Sequence, residues 1–111
     1  GKSLKVHKLL QPDPLYMTAE EAAGIEQEPD SKQRRGGDRL AGSYVNFYIA
    51  NRHILMPLLD ARTDKRAKTL ISRLFPGREV VGVPAREILL GGGNIHCITQ
   101  QQPRPRRVMK A

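Results

Sequence analysis

Residues 43–57 have the sequence SYVNFYIANRHILMP, which contains the clearest extended segments of the chain. β-Branched and aromatic residues fill 43–50, and such residues favour strands that are partly buried on both faces. Asn51 and Arg52 then indicate a tight turn, and 53–57 has the composition of a second strand. The stretch therefore predicts a β-hairpin.

The residues after the hairpin predict a helix. Thr63 or Asp64 can cap a helix over about 64–75, because apolar side chains recur there on one face at helical spacing. Those side chains are Ala67, Leu70, Ile71 and Leu74. The Pro-Gly pair at 76–77 ends the helix, since proline cannot continue it.

Two further strands are expected beyond the helix. Residues 79–83 predict a short apolar strand, and 95–100 predict a closing strand after a connector with one helical turn. Residues 43–100 then form a ββαβ module of α/β class plus a closing strand. A single helix covers one face of such a layer and leaves the other bare, so we expect neighbouring modules to complete it.

The N-terminal part is expected to be mostly irregular. Apolar and polar residues alternate within 1–10, which predicts a half-buried strand. Residues 11–42 predict a long loop with one short helix over 19–23. Thr18 can cap that helix, with Glu21 as the return partner of a capping box.

Composition and charge limit the class of protein. The 111 residues allow one domain, 39% of them are hydrophobic and the formal net charge is +8. No apolar run is long enough to span a bilayer, and the first residues do not have the pattern expected of a secretory signal. The lone cysteine, Cys97, suits a reducing cytoplasm. Loop 26–39 is long enough to act as a lid, and the polar, basic tail 101–111 is expected to be flexible.

The chemically informative stretch is Gly91–Gly93 followed by Asn94, Ile95, His96 and Cys97. Three glycines allow a ligand or another backbone to lie directly against the chain ahead of Cys97. The thiol is then either a nucleophile or, as is commoner for a lone cysteine, a buried inert group. On a strand, His96 would point away from Cys97. His53 and His7 are possible bases, although surface roles are commoner. The spacing predicts no metal site.

The stretch 91–103, GGGNIHCITQQQP, resembles the active-site cysteine strand of agmatine deiminases. Further motifs follow the same family in order, so the resemblance extends from about Leu4 to Pro103. They are PLYMT at 14–18, SYVNFYIAN at 43–51, FP at 75–76, VVG at 80–82 and AREIL at 85–89. One departure is Arg52, where the family usually has glycine, which makes the geometry of the hairpin turn uncertain.

The resemblance implies the pentein fold, a propeller of ββαβ-type modules, of which this chain would be an incomplete C-terminal portion. It also implies hydrolysis of agmatine to N-carbamoylputrescine and ammonia in putrescine biosynthesis, without a cofactor. Cys97 would be the nucleophile, and Gly91, Gly92 and Gly93 would make close backbone contacts to substrate. The carboxylates and histidine that complete the family's site lie upstream of the matching region.

Several expectations about partners follow. The segment alone should be inactive, should dock onto the missing N-terminal part and could form a homo-oligomer. A peptidylarginine deiminase-type enzyme acting on another guanidine is an alternative. A second alternative is a small basic module that binds nucleic acid through Arg104, Arg106, Arg107 and Lys110, although no aromatic-studded basic strand supports it. A third is an interaction fragment without turnover.

Overall fold

A computed structural model describes residues 3–106 and shows a small mixed α/β layer. The strands are β1 (Tyr48–Ile49), β2 (His53–Leu58) and β3 (Glu79–Pro84), in the order β1-β2-β3. The helices are α1 (Ala19–Ala23), α2 (Asp64–Leu74), α3 (Arg86–Leu90) and a 3₁₀ helix (His96–Ile98). β1 pairs with β2 antiparallel, and β3 pairs with β2 in parallel after the α2 crossover. The hairpin, α2 and β3 are therefore where the sequence predicts them, with β1 shortened to two residues.

The main core lies between α2 and the sheet. Ala67 and Ile71 of α2 are fully buried, whereas Leu74 is partly exposed, so the apolar stripe is narrower than its spacing suggests. They pack with Tyr44, Ile54, Met56 and Val80. A smaller core joins α1 and α3 through Met17, Ala22, Leu40 and Leu89.

The N-terminus of α2 is fixed by a carboxylate rather than by an ordinary cap. Asp64 Oδ1 accepts hydrogen bonds from the Tyr44 hydroxyl at 2.6 Å, from the Leu59 N–H at 2.9 Å and from the Asp60 N–H at 3.1 Å. Thr63 makes no capping bond, and its hydroxyl lies 2.7 Å from that of Tyr44. Burial, together with Asp64, raises the pKa of Tyr44 to about 12, so this hydroxyl remains a donor at neutral pH.

Two expected strands are absent from residues 3–106. The predicted N-terminal strand is irregular, because no described strand pairs with it, and Leu4 and Val6 are 91% and 82% exposed. The predicted strand over 95–100 is instead the 3₁₀ helix. Gly1, Lys2 and 107–111 of the expected strand and tail lie outside the described residues.

The described residues are elongated. Their radius of gyration is 17.6 Å, against about 13 Å for a compact domain of this length. Large apolar side chains remain exposed along the chain, among them Tyr16, Val45, Ile49, Val81 and Ile98. No helix among residues 3–106 is long and apolar enough to cross a membrane.

Hydrogen bonds hold the hairpin turn at 51–52 and loop 26–39 in defined conformations. No described residue other than glycine has a positive φ, so Asn51 and Arg52 do not form a primed turn. Arg78 Nε instead donates to the Ala50 carbonyl at 3.0 Å. Within loop 26–39, Gln27 exchanges two hydrogen bonds with the Arg34 backbone, so the loop is folded onto itself.

We expect Ile71→Val to lower the free energy of unfolding by about 1 kcal/mol, because it removes one methylene from a fully buried side chain. The same change at Ile98, which is 67% exposed, should cost less than about 0.5 kcal/mol. Urea denaturation of both variants measures the difference. Equal losses of stability in the two variants would contradict the placement of Ile71 in the core.

The capping box of α1 is present as predicted, and its carboxylate also anchors α3. Glu21 accepts from the Thr18 N–H at 2.9 Å and from the Arg86 guanidinium at 2.8 Å on each carboxylate oxygen. Arg86, and next the Thr18 N–H, lower the pKa of Glu21 from 4.5 to about 2. This stabilisation is complete above pH 4.5 and is lost as the pH falls through about 2.

We therefore expect Glu21→Gln to be less stable than the unaltered chain at neutral pH and to lose less stability on acidification. Glu20→Gln is the matched control, because Glu20 lies in the same first turn without a described side-chain partner. Urea midpoints measured between about pH 6 and pH 2 test this. A parallel pH dependence for Glu21→Gln and the unaltered chain would contradict the role of this pair.

Candidate functional site

The site is built where two loop segments meet. One runs from Ala41 to Asn46, ahead of β1, and the other contains the glycine run and the 3₁₀ helix. The fully buried Asn94 joins them, because its Nδ2 donates to the carbonyls of Ala41 at 3.3 Å and Ser43 at 3.4 Å. Two segments about fifty residues apart in sequence are thereby held side by side.

Asparagine side chains also explain why 95–100 is not a strand. Asn94 Oδ1 accepts from the Ile95 N–H at 2.8 Å, and Asn46 Oδ1 accepts from the His96 N–H at 2.7 Å. These amides take backbone donors that a strand would need for pairing. The next N–H groups, of Ile98 and Thr99, bond to carbonyls three residues back, as in a 3₁₀ helix.

Cys97 is exposed at the end of this junction. Asn46 Nδ2 donates to its Sγ at 3.3 Å. A backbone hydrogen bond from Asn94, and next the Asn46 amide, lower the pKa of the Cys97 thiol below its ordinary value. Hydrogen bonds to sulfur favour the thiolate. The thiol is therefore exposed, and not buried as in the alternative prediction, and its hydrogen bonds favour the charged form.

Side chains of Cys97 and Arg34 lie close to two of the three glycines, whereas contacts of the glycines with substrate stay a prediction. A Cβ added at Gly93 would lie 2.8 Å from Cys97 Cβ and 3.2 Å from its Sγ. Gly92 has a φ of +95°, and a Cβ there would lie 2.7 Å from Arg34 Nη2. The same nitrogen donates to the Gly91 carbonyl at 2.7 Å. Arg34 therefore anchors loop 26–39 to the glycine turn.

The histidines are not gathered around the thiol. His53 lies at the start of β2, with its Nε2 3.6 Å from Glu79 Oε2. His7 is exposed in the irregular N-terminal segment, and His96 is exposed on the 3₁₀ helix. Strand alternation does not separate His96 from Cys97, because both residues lie in the 3₁₀ helix. Among residues 3–106, Asn46 provides the side-chain hydrogen bond to the thiol.

Sequence reasoning missed Asn46, Asn94 and Arg34 as residues of the site. An available signal for Asn46 was a lone amide within the otherwise apolar run Tyr44–Ile49. Arg34 carried no such signal, because its partner at Gly91 is 57 residues away. Among the described residues, no cluster of histidine, cysteine or carboxylate side chains could hold a metal ion.

Comparison with known proteins identifies what this arrangement resembles. Residues 1–103 match the family described as Porphyromonas-type peptidyl-arginine deiminase. Agmatine deiminase of Pseudomonas fluorescens is 55% identical over 97% of this chain and 29% of its own length. That of Pseudomonas putida is 54% identical over 95% and 28%. The structure of the Enterococcus faecalis agmatine deiminase aligns with a TM-score of 0.81 and 38% identity over 91% of this chain and 27% of that one. The chain thus spans under a third of these relatives.

We expect Gly93→Ala to lower the free energy of unfolding by about 1–3 kcal/mol, since the new methyl group overlaps Cys97. Gly24→Ala is the control, because a Cβ there meets its nearest atom at an ordinary 3.5 Å. Urea denaturation of the two variants gives the comparison. A Gly93→Ala chain as stable as the Gly24→Ala chain would show that Gly93 and Cys97 are not in contact.

Proposed function

Because this chain belongs to the Porphyromonas-type peptidyl-arginine deiminase family, we propose that it is the C-terminal segment of an agmatine deiminase. Its α/β layer is part of a pentein fold, as the alignment with the Enterococcus faecalis structure shows. The proposed reaction converts agmatine and water into N-carbamoylputrescine and ammonia, a step towards putrescine. The exposed Cys97 thiol, with amide donors on its sulfur, is the observation that carries the proposal.

Cys97 is the nucleophile in this proposal. Its thiolate forms a C–S bond to the guanidinium carbon, one C–N bond breaks, and that nitrogen leaves with a proton as ammonia. Water then adds to the carbon of the amidino-thioether, the C–S bond breaks, and N-carbamoylputrescine and the thiolate are released. Hydrogen bonds from Asn94 and Asn46 lower the pKa of Cys97, which favours the thiolate that this step needs. We assign the backbone of Gly91, Gly92 and Gly93 to contacts with the substrate.

The remaining groups are assigned to sequence outside these 111 residues. A guanidinium needs carboxylates that match its planar fork, and the departing nitrogen needs a proton donor such as histidine. Glu21 of α1 is unsuited to the first role, because it is paired with Arg86. A net charge of +8 also disfavours a cationic substrate. The N-terminal part of the enzyme is thus the partner we propose for this chain.

The family is described by a different guanidine substrate, peptidyl-arginine. The alternative proposal is therefore an enzyme that acts on another guanidine, such as peptidyl-arginine or arginine. We place the assembled enzyme in the cytoplasm, where the lone thiol stays reduced, and we allow for a homo-oligomer. These assignments rest on the chemistry of the thiol and on the family.

We expect the isolated chain to release no ammonia from agmatine. Mixed with the N-terminal part of the Pseudomonas fluorescens agmatine deiminase, up to the matching region, it should do so. Cys97→Ser should then reduce turnover by at least about a thousandfold. Ser43→Ala, a small change in the neighbouring segment, is the control and should retain turnover. Ammonia release from agmatine, arginine and a peptidyl-arginine measures activity and specificity. A stable complex without turnover would overturn the proposal in favour of a binding fragment.

A further inference from the structure

Asn46 contacts both Cys97 and the backbone of the preceding residue, His96. It lies two residues before β1, and its side chain reaches the 3₁₀ helix. Its Oδ1 accepts from the His96 N–H at 2.7 Å, its main-chain carbonyl lies 3.3 Å from the same N–H, and its Nδ2 donates to Cys97 Sγ at 3.3 Å. One amide thus bridges the backbone ahead of the nucleophile and the sulfur itself.

The orientation of this amide follows from its partners. A backbone N–H can only donate, so the oxygen of Asn46 must face His96. The nitrogen, with its two N–H groups, is then directed at Cys97. Flipping the amide would place an N–H donor against the His96 N–H donor. The donor that meets the sulfur is therefore determined by the fold and not by a choice between two equivalent assignments.

Asn46 is itself held in place. It follows Tyr44, which is fully buried and bonded to Asp64. The carbonyls of Ala41 and Ser43, just before it, accept from the buried Asn94. These contacts restrain the backbone on which Asn46 stands. Its amide can therefore keep one position relative to Cys97, and little conformational entropy is lost when substrate binds.

We propose that Asn46 is a positioning residue for Cys97: its amide holds the sulfur against the glycine turn and stabilises the thiolate that attacks the guanidinium carbon. This rests on the proposed function, for which it supplies a residue outside the glycine–cysteine motif. With Asn46 on one side of the sulfur and Gly93 on another, the exposed side is left for substrate. The same amide can receive the thiolate again when the C–S bond breaks.

The consequence is a measurable dependence of the Cys97 pKa on Asn46. Asn46→Asp keeps an oxygen for the His96 N–H, removes the donor to sulfur and adds a negative charge beside it. Each change disfavours the thiolate. Asn46→Ala removes the donor without adding charge, so it should raise the pKa by less. The excess shift in the Asp variant should shrink at about 1 M salt, where exposed charges are screened.

The experiment is the pH profile of alkylation of the 111-residue chain by iodoacetamide, followed by intact mass. Cys97 is the only cysteine, so each added group reports on it. Asn46→Asp should raise the apparent thiol pKa by at least about one unit, which lowers the thiolate fraction about tenfold below that pKa and slows alkylation there by about threefold or more. Asn51→Asp, the same change at the hairpin turn, should leave the profile unchanged. Circular dichroism confirms that each variant is folded.

Unchanged profiles for Asn46→Asp and Asn46→Ala would overturn the inference, as would an equal shift in Asn51→Asp. If the Asn46 variants do not fold, the unaltered chain provides the test, since the side-chain amide resonances of Asn46 must titrate together with Cys97. Resonances that do not respond would overturn it. The readout needs no turnover, so a failed ammonia assay with shifted profiles would refute the proposed function and leave the role of Asn46 intact.

Discussion

Two asparagine side chains hold the geometry around the thiol. Asn94 is completely buried and joins the glycine turn to the segment ahead of β1, while Asn46 reaches back from that segment to the 3₁₀ helix. Buried amides are costly unless their hydrogen bonds are made, and no buried side-chain nitrogen or oxygen in the described residues lacks a partner. Polar groups therefore help to set the position of Cys97, which belongs to neither apolar core.

The elements that depend on neighbouring residues in the sequence were predicted correctly, and those that depend on residues far away in the sequence were not. The hairpin, α2, β3 and the capping box of α1 were predicted, because local periodicity and cap chemistry determine them. The strand over 95–100 was wrong, because its backbone donors bond to the side chains of the adjacent Asn94 and of Asn46, which is 50 residues away from His96. The N-terminal strand was wrong for a different reason. Alternating apolar and polar residues are compatible with a strand, but a strand also needs a second strand to pair with, and none is described there.

The candidate site shows the same division. The glycine run and Cys97 were visible as a motif, and the order of motifs along the chain pointed to the family that was found. The residues that bond to the thiol and to the glycine turn could not be derived in this way. Asn46 and Arg34 act through contacts over 51 and 57 residues of sequence, and such contacts appear only once the chain is folded. The sequence likewise indicated the capping role of Glu21 but not its ion pair with Arg86, which lies 65 residues away.

The elongated outline has a consequence for how this polypeptide behaves in a test tube. Leu4, Val6 and Val45 carry hydration shells that would be released against any apolar surface, and β3 offers an unpaired edge among the described strands. At high concentration, other copies of the same polypeptide are the nearest such surface. The proposed N-terminal partner, added in trans, would then act on this segment much as a chaperone does and keep it in solution.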